Sequence, residues 1–168
     1  MRTKFPRAVA IQQRALAVLR IVTGLCFLYA FWQQLGGGLV GTLARAALEL
    51  AEGNPVGFYA DFLRQSVAGS GMGYAYFLLL SELLVGILLV LGLFTGPAAL
   101  LGLLLTVNMA LAFASLGSLV VGFFVLWSVV LAVLAVSFAG TTWGLDKHLI
   151  DRMPHWLVGL LHFEYREF

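Results

Sequence analysis

The chain has 168 residues, of which 61% are hydrophobic and 11% charged, and its formal net charge is +2. A water-soluble domain of this length leaves about a third of its unfolded surface exposed, so it cannot hide this much apolar area and the composition indicates an integral membrane protein. The small net charge gives no argument for a nucleic-acid partner, and the single cysteine excludes a disulfide framework.

Four apolar runs of about twenty residues predict four membrane-spanning helices. They cover about 15–35, 74–94, 97–115 and 119–138, and each is long enough for ~30 Å of hydrocarbon. "TGP" at 95–97 and "SLGS" at 115–118 are tight turns, which make the last three spans antiparallel neighbours. We therefore expect residues 1–168 to form a single all-α membrane domain, an antiparallel four-transmembrane-helix bundle with extra short amphipathic helices.

The segment 36–73, between the first two spans, is less apolar than the spans. "LVGTLARAALELAEG" reads as one amphipathic helix that ends at Gly53. Asn54 followed by Pro55 is typical of an N-cap and a first helical turn, so a second short helix is predicted over 55–69. We expect both helices to lie on the membrane surface as a cap over the bundle.

The distribution of basic residues predicts the orientation in the membrane. Four basic residues precede the first span and three follow the fourth, whereas the cap carries only Arg45 and Arg64. Both termini are therefore expected in the cytoplasm, with the cap on the outer side of the inner or plasma membrane. The tail, 139–168, mixes charged and aromatic residues and predicts a cytoplasmic interfacial segment or a docking segment for a soluble partner.

Polar side chains within the spans are candidates for function, because an ionisable group at a helix centre costs about 2.5–3.5 kcal/mol. Arg20, near the cytoplasmic end of the first span, can snorkel to the headgroups or face inward and hold a carboxylate. Glu82 is too deep to snorkel, so it must meet another helix, a ligand or water, or stay protonated. Asn108 falls at a similar depth, where it can join Glu82 in a site or serve helix packing alone. Gly86, one turn after Glu82, allows close approach of a helix or a flat ligand.

Aromatic side chains in the first and fourth spans could form the walls of a site for a flat apolar ligand such as a quinone. The candidates are Phe27 and Phe31 in the first span, and Phe124 and Trp127 in the fourth. Packing and lipid contact are the alternative roles for these residues. All three histidines lie in the tail, and no dinucleotide or phosphate fingerprint occurs, so neither a metal nor a flavin site is predicted.

Three stretches carry a family resemblance: "RIVTGLCFLYAFWQQL", "SELLVGILLVLGLFTGPAALLGLLLTVNMALAFA" and "AGTTWGLDKHL". Together they resemble the DoxX/DoxD family of small four-helix membrane proteins. The long segment between the first two spans, with its "FYADFLRQ", is more similar to DoxD than to the shortest DoxX proteins. DoxD is the membrane subunit of thiosulfate:quinone oxidoreductase, where it works with a second, largely extracytoplasmic subunit, DoxA.

The resemblance implies a membrane subunit of a quinone-linked redox complex that acts on thiosulfate or another sulfur compound. Its implied catalytic residues are Glu82, Arg20 and Asp146. Quinone, as substrate or cofactor, would be held by Asn108 and the four aromatic residues, and Arg45 and Arg64 would attract an anionic substrate at the outer face. Electrons would pass directly between substrate and quinone or through a DoxA-like or other redox partner subunit, and a homo-oligomer stays open.

Two other functions compete with this hypothesis. As a non-catalytic scaffold or assembly subunit, the protein would recruit soluble redox partners through its tail and cap, and its buried charges would only lock the bundle. As a small transporter, it would use Glu82 as a proton relay. Transport is the weaker alternative, because the four spans show neither inverted repeats nor broken helices.

Overall fold

The computed structural model describes residues 6–70, 72–137 and 142–146, and within these ranges the regular structure is helical with no strand. The helices are α1 (Pro6–Gly36), α2 (Leu39–Glu52), α3 (Gly57–Phe62), α4 (Ala68–Ser70), α5 (Met72–Leu91), α6 (Thr95–Ala112) and α7 (Ser118–Val136). A π-helical turn, Leu63–Val67, connects α3 to α4, and a 3-10 turn, Phe113–Leu116, extends α6. Apart from 142–146, the predicted interfacial tail lies outside the described residues.

Four helical segments are long and apolar enough to cross a membrane: Ile11–Gly36, Met72–Leu91, Thr95–Leu116 and Ser118–Val136. The predicted all-α fold with four spans is confirmed. The second span ends earlier than predicted, because Gly92 (φ 63°) and Phe94 (φ 49°) adopt the left-handed conformation and break the helix before Thr95.

The spans pack as two close pairs, α1 with α5 and α6 with α7, and contact between α5 and α6 joins the pairs. Gly24 and Gly86 bring α1 and α5 together. A Cβ atom on Gly24 would lie 2.8 Å from the backbone nitrogen of Val90, and one on Gly86 would lie 2.7 Å from Leu28 Cδ2. Gly86 therefore receives a neighbouring helix rather than a ligand. In the described part of the chain α1 and α7 share no comparable contact.

The helices α2, α3 and α4 form a cap that packs on one end of the bundle. A buried cluster joins the cap to the end of α6, and it includes Ala47, Tyr59, Leu63, Val67 and Ala112. We call this end the cap end. The opposite end, where α5 turns into α6 beside residues 142–146, is the tail end.

The start of the second cap helix differs from the prediction. The helix α3 begins at Gly57 with Val56 as its N-cap, so the assignment of Asn54 as the N-cap is wrong. Asn54 Oδ1 accepts from the Val56 N–H at 2.9 Å, and its Nδ2 donates to the Leu111 carbonyl oxygen at 2.8 Å. The asparagine side chain thus closes a local turn and ties the cap to the C-terminal end of α6.

Candidate functional site

A cavity of about 370 Å³, the cap cavity, lies between the cap and the spans. Its walls are mostly aliphatic and aromatic and come from the cap and from all four spans; they include Ala46, Leu50, Leu63, Val67, Leu78 and Met109. The polar groups of this cavity are Gln34, Glu82 and Asn108, together with the hydroxyls of Tyr59 and Tyr74. An apolar enclosure with a few converging polar groups is the usual form of a small-molecule site.

A second cavity of about 320 Å³, the lateral cavity, lies between α1 and α7 and reaches α5 and α6 behind them. Its lining includes Cys26, Phe27, Leu105, Phe123 and Trp127. Cys26 and Phe123 are exposed on the side of the bundle, inside the membrane-spanning segments of their helices. This cavity therefore opens sideways, at a height where the surroundings of a membrane protein are hydrocarbon.

Glu82 lies where the two cavities meet, because it lines both of them together with Ala30, Met109 and Phe124. Its side chain is buried, with 6% exposure. Gln34 of α1 donates its Nε2 amide to both carboxylate oxygens of Glu82, at 2.7 and 2.6 Å. The carboxylate thus meets another helix, which is one of the surroundings that its depth in the span required, and it also faces both cavities.

Asn108 faces the cap cavity and is held by two tyrosines. The Tyr59 and Tyr74 hydroxyls donate to Asn108 Oδ1 at 2.6 and 3.1 Å. Burial, reinforced by the neighbouring Tyr74, raises the pKa of Tyr59, so its hydroxyl stays a hydrogen-bond donor at physiological pH. Both tyrosines fix the orientation of the Asn108 amide.

The sequence pattern did not single out Gln34, Tyr59 or Tyr74. Gln34 lies fourteen residues after Arg20, which is close to four helical turns, so the two share one stripe of α1. That stripe is the signal that could have identified it. Tyr59 offers no such signal, since a cap tyrosine resembles any interfacial aromatic residue until the helices are assembled.

The aromatic candidates divide between the cavities. Phe27 and Trp127 line the lateral cavity, and Phe124 lines both cavities. Phe31 lines neither of them and is half-buried elsewhere on α1. Three of the four aromatic side chains therefore line a cavity that Glu82 also lines, where a flat ligand would contact them.

Arg20 and Asp146 come together at the tail end, away from both cavities. Arg20 is fully buried and donates to the carbonyl oxygens of Trp143 at 3.2 Å and Thr142 at 3.5 Å. The Asp146 carboxylate attracts the Arg20 guanidinium. Because Arg20 precedes Gln34 by fourteen residues, ~21 Å along the helix, Arg20 and Asp146 do not share a site with Glu82.

Asp146 also caps the start of α6. Its Oδ1 accepts from the Phe94 N–H at 2.7 Å and its Oδ2 from the Thr95 N–H at 3.1 Å. In return, the Asp146 N–H donates to the Gly92 carbonyl oxygen at 2.9 Å. A carboxylate at a helix N-terminus stabilises the unpaired N–H groups there. These contacts fix the turn between α5 and α6 and hold residues 142–146 against it.

The two cap arginines lie on the exposed face of the cap and line neither cavity. Arg64 forms an ion pair with Asp61 at 3.3 Å and donates to the Ala51 carbonyl oxygen at 3.1 Å. Arg45 is therefore the more available of the two cations for an anion from solution. Among the described residues, no cluster of three or more histidine, cysteine, aspartate or glutamate side chains could hold a metal ion.

A helical chain with four spans, a helical cap and an internal polar site defines a small polytopic membrane protein. The family model for DoxX matches residues 15–116, well over half of the chain. The protein therefore belongs to the DoxX family. The match contains Glu82 and Asn108 and stops before α7 and Asp146. No curated protein and no solved structure matches the chain significantly.

Proposed function

We propose that this protein binds a quinone in the cap cavity and acts as the membrane subunit of a quinone-linked redox complex. The observation that carries the proposal is that Glu82 and Asn108 face one largely apolar cavity between the cap and the spans. A quinone is a flat, apolar ring with two carbonyl oxygens, so it needs apolar walls and a few hydrogen-bonding groups. Thiosulfate or another sulfur compound is the electron donor that we propose for the complex.

The residues of the cap cavity fit such a ligand. The volume of about 370 Å³ falls within the usual range of small-molecule sites. The Asn108 Oδ1 already accepts from two tyrosines, and no described residue accepts from its Nδ2 amide, which leaves this donor for a carbonyl oxygen. Glu82 adds a second polar group, which donates when protonated and accepts when ionised.

A bound quinone supplies an acceptor for two electrons and two protons, which matches the two electrons released when two thiosulfate ions form one tetrathionate ion. In this proposal Glu82 holds a proton at a carboxylate oxygen inside the cavity and passes it toward the ligand. Gln34 keeps the carboxylate in place through its Nε2 amide. Tyr59 and Tyr74 fix the Asn108 amide. The oxidation of the sulfur donor takes place at the cap side, on a DoxA-like or other redox partner subunit.

The test is quinone binding by the purified protein in lipid nanodiscs, followed by the quenching of tryptophan fluorescence, since Trp127 lines the adjoining cavity. We expect Glu82→Gln and Asn108→Leu each to weaken binding about tenfold, the effect of losing one hydrogen bond to a buried polar group. The matched control is Glu49→Gln, an exposed carboxylate on α2 that lines neither cavity. Correct folding of every variant is checked by its melting temperature.

Two outcomes contradict the proposal. The first is that the wild-type protein binds no quinone, either alone or with a partner subunit. The second is that both folded variants bind quinone as tightly as the wild type does. In the first case, retention of a soluble redox partner by the same preparation would favour the scaffold function.

A further inference from the structure

We infer that the lateral cavity receives the hydrocarbon tail of the quinone, and that the ligand enters the protein sideways from the bilayer, between α1 and α7. This inference rests on the proposed function, since it assumes that the ring of the ligand lies in the cap cavity. Membrane quinones carry a long apolar tail, which must find a path out of any closed site. The structure offers such a path on one side of the bundle.

The first argument is the continuity of the two cavities. Both are lined by Ala30, Glu82, Met109 and Phe124, so they adjoin at the carboxylate. The polar groups of Asn108, Tyr59 and Tyr74 belong to the cap cavity alone. The difference in polarity between the two cavities would thus orient a ligand with a polar ring and an apolar tail, with its ring toward Asn108 and its tail beyond Glu82.

The second argument is the apolar character of the lateral cavity. Its hydroxyl-bearing wall residue on α6, Thr106, already bonds the Leu103 carbonyl oxygen at 3.0 Å and the Ser128 hydroxyl at 3.0 Å. The Ser128 hydroxyl in turn donates to the Phe124 carbonyl oxygen at 2.9 Å. The two hydroxyl protons are shared among these three contacts, so each hydroxyl has a partner within the protein and this wall meets a hydrocarbon tail without leaving a polar group unpaired.

The third argument is the opening itself. The spans pack as α1 with α5, α5 with α6 and α6 with α7, which leaves the side between α1 and α7 without extensive helix contact in the described part of the chain. The exposed side chains of Cys26 and Phe123 flank this side from the two helices. A chain in the bilayer can therefore reach Glu82 without crossing a packed helix interface.

A steric plug tests the route. Cys26→Trp places a large ring at the mouth of the lateral cavity, and the matched control Leu25→Trp places the same ring on an exposed neighbouring position that lines neither cavity. Two ligands are compared, a tail-less benzoquinone and the same ring with a ten-carbon tail. We expect Cys26→Trp to weaken binding of the tailed ligand at least about tenfold, because two or more methylene groups lose their burial. Binding of the tail-less ligand should stay within about twofold.

The outcomes separate this inference from the proposed function. Equal binding of the tailed ligand by Cys26→Trp and Leu25→Trp overturns the lateral route, and so does an equal loss of both ligands in Cys26→Trp. If the wild type binds neither ligand, the proposed function fails as well. A second measurement uses the native thiol: a bifunctional maleimide bridging Cys26 to Phe123→Cys should slow entry of the tailed ligand alone, and the same treatment in a Cys26→Ser background should not.

Discussion

Among the residues that the structure describes, the buried ionisable side chains Arg20 and Glu82 have opposite kinds of partners. Arg20 faces the charge of Asp146 and donates to the carbonyl oxygens of 142–143, which are groups that attract a positive charge. Glu82 meets a neutral amide, Gln34. An amide carries both a donor and an acceptor, so it can bond a carboxyl group in either protonation state. The chemistry of the two sites therefore differs: one holds a charge, and the other can exchange a proton.

Replacement of Arg20 by lysine tests this division. Arg20→Lys keeps the charge but loses the forked guanidinium that donates to two carbonyl oxygens, so we expect stability to fall by about 2–3 kcal/mol. The readout is the melting temperature in detergent, with the exposed Arg14→Lys on the same helix as control. Quinone binding by the folded fraction should be unchanged. A stable variant that has lost quinone binding would instead show that Arg20 takes part in quinone binding.

At the residue scale, the sequence identified the polar residues of the spans that line the cap cavity, but not their hydrogen-bond partners. Glu82 and Asn108 stood out because polar groups are costly within a span, and that cost does not depend on the fold. The sequence indicated that Arg20 could hold a carboxylate but not which one, since its pairing with Asp146 depends on the direction in which 142–146 turn back onto the bundle. The sequence contains no local signal for that turn.

At the scale of elements, the contact between α1 and α5 depends on two glycines. A Cβ atom on Gly24 would meet the backbone of Val90 at 2.8 Å and the Gly86 carbonyl oxygen at 2.9 Å. Backbone atoms cannot move aside as a side chain can, so the helices themselves would have to separate. Close contact through small residues is a common source of helix association in membranes. This contact also holds Gln34 of α1 beside Glu82 of α5.

We therefore expect Gly24→Ala to destabilise the protein by about 1–3 kcal/mol, the usual cost of overpacking. The same change at Gly122 of α7 should be neutral, because a Cβ atom there has nothing within 4 Å. Thermal unfolding of both variants in one detergent measures the difference. Equal melting temperatures would show that α1 and α5 do not pack as closely as the structure has them.

The lengths of the spans were predictable from apolar runs, whereas two helix boundaries were not. Phe94 adopts a conformation that is unfavourable for a non-glycine residue, and the distant Asp146 stabilises it by accepting its N–H. The helix α3 starts later than predicted because the Asn54 side chain donates a hydrogen bond to the end of α6. In both cases a contact with another element overrides the local signal. Sequence periodicity contains no information about such a contact.

At the scale of the whole molecule, four spans place the start of α1 and residues 142–146 at the tail end, opposite the cap. The excess of basic residues before the first span and after the fourth predicts that this end is cytoplasmic. The opening between α1 and α7 could not be predicted. Tight turns determine which consecutive helices are neighbours, but nothing in the turns determines whether the first and last helices close the bundle.

The orientation is testable by labelling engineered thiols in a Cys26→Ser background. Glu52→Cys lies exposed at the cap end and Pro97→Cys lies exposed at the tail end. In intact cells or right-side-out vesicles, an impermeant maleimide should label Glu52→Cys directly and Pro97→Cys only after permeabilisation. The reverse pattern would place the cap in the cytoplasm and invert the predicted topology.

The contacts of Arg20 also impose an order of events during synthesis. Its acceptor on Thr142 lies 122 residues later in the chain, so at ~5–20 residues per second the ribosome needs about 6–25 s to make it. Through that interval the first span resides in the membrane while the carbonyl acceptors of Arg20 on Thr142 and Trp143 have not yet been made. The tail end of the bundle can therefore reach its final form only after residues 142–146 have emerged, because they supply these acceptors and the Asp146 cap of α6.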